Sequence, residues 1–263
     1  MLRHSTVALV VALILTALLY PQDHVVLGTV NSIGFGTYAD LPAASGVPHK
    51  FLYLFTDSPY YRAINNNGTW NYFLGGFQAT LPPSSGWSWV NQGTATITTS
   101  GGYHTITTPS DSSLNMRIRT RSYTAPATFT VALNTVQEHV GGNGSCGIGF
   151  RDSGAGTITT MSLVHVDVGQ VSVQNFNSPT SFSSTYSTVD YRALHPEGKA
   201  LFQIEDNNTN FIFRVSGDAG NTWGTVHTVS RTDFLTTPDE VFFFAAAQNG
   251  DPVYTHLISW LEE

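Results

Sequence analysis

Charge is what this chain has least of. Asp, Glu, Lys and Arg make up 11% of its 263 residues, where a soluble domain ordinarily carries about a quarter. Lys50 and Lys199 are its two lysines. The net charge is −7, the isoelectric point is about 5.6, and no basic run occurs, so no nucleic-acid partner is expected. Cysteine occurs once, as Cys146, which excludes an internal disulfide and a cysteine-based zinc site. Its setting, Gly144-Ser145-Cys146-Gly147-Ile148-Gly149-Phe150, is an apolar strand start that predicts a buried, inert thiol. Amphipathic helices and tandem repeats are missing. So are a Gly-x-Ser-x-Gly elbow and a phosphate loop, and the nine histidines lack metal spacing. No cofactor is expected.

Short β-type runs are abundant instead. From Trp87-Ser88-Trp89-Val90 they recur through Ala95–Thr99, His104–Thr108, Met116–Arg121, Phe129–Leu133, Cys146–Arg151, Thr159–Val168 and Gln170–Phe176. Ala200–Glu205, Phe211–Val215, Thr225–Val229, Val241–Ala247 and His256–Leu261 complete the series. Strands at this spacing, with no helices between them, predict an all-β fold, an antiparallel β-sandwich of the jelly-roll kind. Val241–Ala247 is apolar throughout and reads as a central strand buried on both faces. Leu201, Gln203 and Glu205 alternate with Phe202 and Ile204, as a strand with one wet face should.

Three domains are expected: residues 1–24, 25–82 and 83–263. In the first, Thr6 to Tyr20 is almost wholly apolar and follows Arg3 and His4. As a helix it would span about 22 Å, short of the roughly 30 Å of a bilayer core. An arm buried against other subunits is the reading adopted, and membrane contact is not expected. A short lipid anchor and an uncleaved signal are the alternatives. In the second domain, Phe51–Phe55, Tyr60–Ile64 and Thr69–Phe73 predict a β-meander with an Asn67-Gly68 corner. Leu81-Pro82-Pro83-Ser84-Ser85-Gly86 reads as a linker.

Gly36-Thr37-Tyr38-Ala39-Asp40-Leu41-Pro42-Ala43-Ala44, Phe51–Asp57, Tyr61-Arg62 and Asn67-Gly68-Thr69-Trp70 follow one another in order. That succession resembles a small module of bacteriophage tail, fibre and head-decoration proteins. Ser216, Asp218, Gly220, Thr222 and Trp223 match the Asp-box, a structural hairpin of sialidases and of many secreted or virion β-proteins. Asp218 can bond back to turn N–H groups and Gly220 can take positive φ. With Gly147–Gly154, Asn177–Phe182, Arg231–Leu235 and Ser259–Glu262, the C-terminal part resembles concanavalin A-like (laminin-G-like) jelly-roll modules of phage virion proteins. The resemblance implies a structural protein on the virion surface, in head or tail, outside the cell. It would bind other virion subunits and itself, trimers being the habit of such proteins. Adhesion to host-surface glycans is the further implication. A membrane-anchored or secreted carbohydrate-binding lectin is the alternative, and a glycan-cleaving enzyme the third reading.

Catalytic residues are not expected. Glu205 and Asp206 are adjacent, so on a strand they point to opposite faces and cannot form a glycosidase pair. His165 and Asp167 share a strand face but read as ordinary strand residues. Glu205, Asp206 and Asn208 offer oxygen ligands for calcium, against the plainer reading of a polar turn. Arg117, Arg119 and Arg121 share one strand face, as partners for Asp and Glu or as a small anion-binding stripe. Trp87, Trp89, Tyr103, Tyr186 and Tyr191 are the aromatic candidates for a glycan platform, while Trp260 is assigned to the core.

Overall fold

The structure is a computed structural model. It describes residues 32–36, 39, 41–47, 51–55, 62–74, 77–137, 144–164, 170–190, 199–218, 220–248 and 252–263. The apolar arm, Tyr191, His165 and Asp167 lie outside the described residues. The chain divides into two compact units, Met1–Gln78 and Ala79–Glu263.

The first unit carries β1 (Ser32–Gly36), β2 (Phe51–Phe55), β3 (Arg62–Asn66), β4 (Thr69–Leu74) and the start of β5 (Phe77–Ala79), ordered β1-β2-β3-β4-β5 in one sheet. β1 and β2 are parallel, and β2-β3-β4 form the expected meander. Asn67 and Gly68 both take positive φ, +51° and +85°, which is the type I′ corner whose twist matches that of the flanking strands. Two side chains tie the Leu41–Val47 segment to the meander. Asn65 Nδ2 donates to the Ala44 carbonyl at 2.7 Å, and Trp70 Nε1 to that of Pro42 at 2.9 Å.

The second unit is the antiparallel sandwich. One sheet holds β6 (Ser88–Val90), β9 (Asn115–Ser122), β11 (Ser145–Arg151), β12 (Ile158–Val164), β13 (Gln170–Ser178), β14 (Ser181–Asp190) and β18 (Glu240–Ala247), ordered β14-β13-β12-β11-β18-β9-β6. The other holds β7 (Thr96–Ser100), β8 (Tyr103–Thr107), β10 (Ala127–Gln137), β15 (Lys199–Asp206), β16 (Asn210–Ser216), β17 (Gly224–Ser230) and β19 (Val253–Glu262), ordered β17-β16-β15-β10-β19-β8-β7. The core between them draws Cys146, Ile148 and Phe150 from β11, Phe129, Val131 and Leu133 from β10, and Phe202 and Ile204 from β15.

β18 is buried on both faces, as its composition predicts. Val241, Phe243, Ala245 and Ala247 enter the inter-sheet core. Phe242, Phe244 and Ala246 face the other way and form a second cluster with Met116, Ile118, Ile158 and Phe176. Full burial of each such phenylalanine is worth about 1.5–3 kcal/mol. The Leu81–Gly86 stretch is no free linker. Pro82 is buried, and the Pro83 carbonyl accepts from Trp87 Nε1 and His104 Nε2, both at 2.8 Å. Thr80 is bonded to Ser259 and Trp260 of β19.

Candidate carbohydrate-binding surface

The outer face of the β14-β6 sheet, turned away from the core, is built on two glycines. A Cβ on Gly147 would meet the Met161 carbonyl at 2.3 Å and the Phe244 ring at 2.8 Å. On Gly149 it would meet the Thr159 carbonyl at 2.3 Å and the Phe242 ring at 2.7 Å. Both rings therefore occupy the space these glycines vacate, giving an apolar floor that is itself buried.

Beside that floor stands a band of hydroxyls and amides. Val171 and Val173 point into the core, so Ser172 and Gln174 point outward. Ser172 Oγ and Thr188 Oγ1 lie 3.1 Å apart, Gln174 Nε2 donates to Thr185 Oγ1 at 3.4 Å, and Ser162 Oγ donates to Gln174 Oε1 at 3.4 Å. The β13–β14 tip then crosses the sheet: the Pro179 carbonyl accepts from Met116 N of β9 at 3.0 Å. β12, β11 and β18 intervene between β13 and β9, and Phe176 packs beneath the crossing in the second cluster. Register shifts at Val173/Gln174, Asn175/Phe176 and Phe176/Ser178 accompany this bend.

Phe182 stands at the end of the band. It lies edge-on to Phe176, with centroids 5.6 Å apart, and is 50% exposed. Among the described residues it is the large hydrophobic side chain that remains exposed. An exposed ring can take the apolar face of a pyranose while neighbouring hydroxyls and amides bond its hydroxyl groups.

The platform candidates read from the sequence fare differently. Trp87 packs against the core, edge-on to Phe243 at 5.0 Å and Trp260 at 4.9 Å, so it is not a free platform. Trp89 packs against the same core, with the Arg119 guanidinium 4.8 Å from its ring centroid. Tyr103 is half-buried and edge-on to His256. Tyr186 stacks on His227 at 4.8 Å and donates its hydroxyl to Asp233. Burial and that bond push its pKa up to about 12. Burial lowers the pKa of His227, against the pull of Asp233. Trp260 is a core residue, as expected.

Of the three calcium candidates, the two carboxylates are engaged with other groups. Asp206 is wholly buried and takes Arg231 Nε at 2.7 Å, the Tyr123 hydroxyl at 2.7 Å and Asn208 N at 3.0 Å. Glu205, on the opposite strand face, pairs with Arg214 at 2.8 Å, and Asn208 is a turn residue with φ +69°. Burial and the bond to Asp206 push the Tyr123 pKa far up. Among the described residues, no three His, Cys, Asp or Glu side chains converge on a metal position.

The Ser216–Trp223 turn closes on itself. Asp218 Oδ1 accepts from Ser216 Oγ at 2.9 Å and Thr222 N at 2.8 Å, and Oδ2 from Thr222 Oγ1 at 2.7 Å. Ser216 Oγ accepts from Gly220 N at 2.8 Å, Gly220 has φ +86°, and Trp223 is half-buried. The bond from the Thr222 hydroxyl leads in holding the Asp218 pKa low.

No family model matches the chain, and no curated protein matches it in sequence. Solved structures do. A functionally unknown protein from Saccharomyces cerevisiae is 16% identical, with a TM-score of 0.50, over 68% of this chain and 96% of that one. A legume lectin-like domain from Entamoeba histolytica is 13% identical, with a TM-score of 0.47, over 68% and 89%. The Bacillus licheniformis beta-glucanase is 12% identical, with a TM-score of 0.46, over 70% and 95%. At these identities the likeness is one of fold alone, and the fold is an all-β antiparallel sandwich consistent with a jelly roll. The expectation that the chain is not an enzyme is corrected here, because glycoside hydrolases stand among the structures of similar fold.

Proposed function

We propose that the chain is a bacteriophage virion protein, in capsid decoration or in a tail or fibre, whose sandwich adheres to host-surface glycans. The 1–24 arm and the 25–82 module attach it to the particle, and self-association, as a trimer, multiplies the sandwiches presented. Many weak sites on one particle then give avidity without a tight single site. The ordered motifs from Gly36 to Trp70 and the Asp-box residues support the virion setting.

One observation carries the glycan reading: Phe182 is exposed at the end of the hydroxyl and amide band of β13 and β14. Bacterial cell-envelope glycans arrayed on glass test it, with retention of the oligomeric chain on a subset of spots as the expected result. Antibody against the sandwich should label intact particles by electron microscopy. An unlabelled particle removes the virion setting, and a blank array removes the adhesion.

A further inference from the structure

β9 divides its side chains between two faces. Met116 and Ile118 join the outer cluster, so Arg117, Arg119 and Arg121 turn to the other side. β6 runs antiparallel beside them with Trp89 opposite Arg119, which brings Trp87 into line with Arg121. The Arg119 Cζ lies 4.8 Å from the Trp89 ring centroid and the Arg121 Cζ 5.4 Å from that of Trp87. Contact with a ring occupies the guanidinium face and leaves its in-plane N–H groups to find acceptors elsewhere.

Arg117 finds them, in Asp111 Oδ2 at 2.9 Å and the Asn91 carbonyl at 3.0 Å. Arg117 Nε is nonetheless buried without an acceptor, and its two neighbours are less well supplied. Arg119 donates Nη2 to the Trp87 carbonyl at 3.0 Å, while its Nε is buried without an acceptor. Arg121 stands 3.7 Å from Glu262 Oε2, beyond hydrogen-bond reach, and its Nε and Nη1 are buried without acceptors. Among the described residues, this stripe sets three guanidinium groups against two carboxylates, Asp111 and Glu262. Each buried donor left unpaired costs about 1–3 kcal/mol, and more when it is charged. Burial also lowers the Arg119 pKa, as an unpaired cation requires.

We propose that Arg119 and Arg121, beside Trp87 and Trp89, form a binding site for an oxyanion, a carboxylate or phosphate group. Residues two apart on a strand are separated by about 7 Å. That spacing suits an oxyanion accepting a charge-assisted bond of about 2.8 Å from each side. Arg119, Arg121, Trp87 and Trp89 all retain some solvent exposure, and β6 is the edge strand, so the stripe lies at the rim of its sheet. The site is independent of the band that ends at Phe182.

Calorimetric titration of the full chain with inorganic phosphate and with glucuronate, at constant ionic strength and against a chloride control, tests it. Saturable binding of at least one oxyanion is expected, together with a change in tryptophan emission. R119Q should weaken that binding by tenfold or more, about 1.4 kcal/mol. E262Q, which removes the competing carboxylate, should tighten it several-fold. Binding of phosphate alone assigns the site to phosphorylated ligands, of glucuronate alone to acidic sugars, and of both to the shared oxyanion. Absence of saturable binding, or affinities unmoved by R119Q, overturns the proposal. If R119Q does not fold, an E262Q affinity equal to or weaker than that of the unaltered chain overturns it.

Discussion

Asp206 has no exposed surface, and its carboxylate holds three segments together: Arg231 after β17, Tyr123 after β9 and the turn at Asn208. Removing one partner of a buried ion pair leaves the other charge uncompensated. Asp206→Ala should lower the unfolding free energy by about 3–5 kcal/mol in urea titration, and a loss below 1 kcal/mol would contradict this account. Asp152 is a second buried carboxylate. Burial raises its pKa, but the Ala155 N–H and both the N–H and hydroxyl of Thr237 outweigh that effect, so the net shift is downward. A carboxyl depressed in the folded state contributes stability above its unfolded pKa, near 3.9, and loses it as pH falls through the folded value. Melting temperatures should therefore drop in acid below about pH 4, and D152N should flatten that drop. A D152N profile parallel to that of the unaltered chain would refute the assignment. At this scale the sequence was legible where chemistry is local, as in the bonds within Ser216–Thr222. It was illegible for Trp87, whose burial is decided by Phe243 and Trp260, far along the chain.

Among the elements, β18 and the β2-β3-β4 meander could be read directly. An unbroken apolar run has no wet face, and Asn67-Gly68 admits a corner few other pairs can form. β14 could not be read. Its residues are mostly Ser and Thr, with Phe182, Tyr186 and Val189 too sparse to mark a period. The surface assigned to glycan contact was lost with it, although the isolated phenylalanine in Ser181-Phe182-Ser183-Ser184-Thr185 was the available signal. The linker reading of Leu81–Gly86 failed because prolines interrupt a strand whether or not their carbonyls are bonded, and here Pro83 accepts two bonds. The glycines of β11 give this scale its prediction. Gly149→Ala places a methyl against the Thr159 carbonyl at 2.3 Å, an atom of the neighbouring backbone that cannot turn aside. Overpacking of this kind costs about 1–3 kcal/mol, measurable by chemical denaturation, and an unchanged midpoint would contradict the close approach.

In the sandwich, the residues that carry the fold differ from those proposed to contact glycan. The inter-sheet core and the cluster around Phe242 and Phe244 carry the fold. Phe182 and the hydroxyl band contribute little to either cluster, so their loss should leave folding intact. Titration of the chain with a glycan retained on the array, followed by nuclear magnetic resonance and repeated with Phe182→Ala, tests the central claim most directly. The account predicts shifts confined to β13, β14 and their tip, with binding weakened at least tenfold, about 1.4 kcal/mol, in a variant of unchanged melting temperature. Equal binding by the two proteins, or shifts elsewhere on the sandwich, would contradict it.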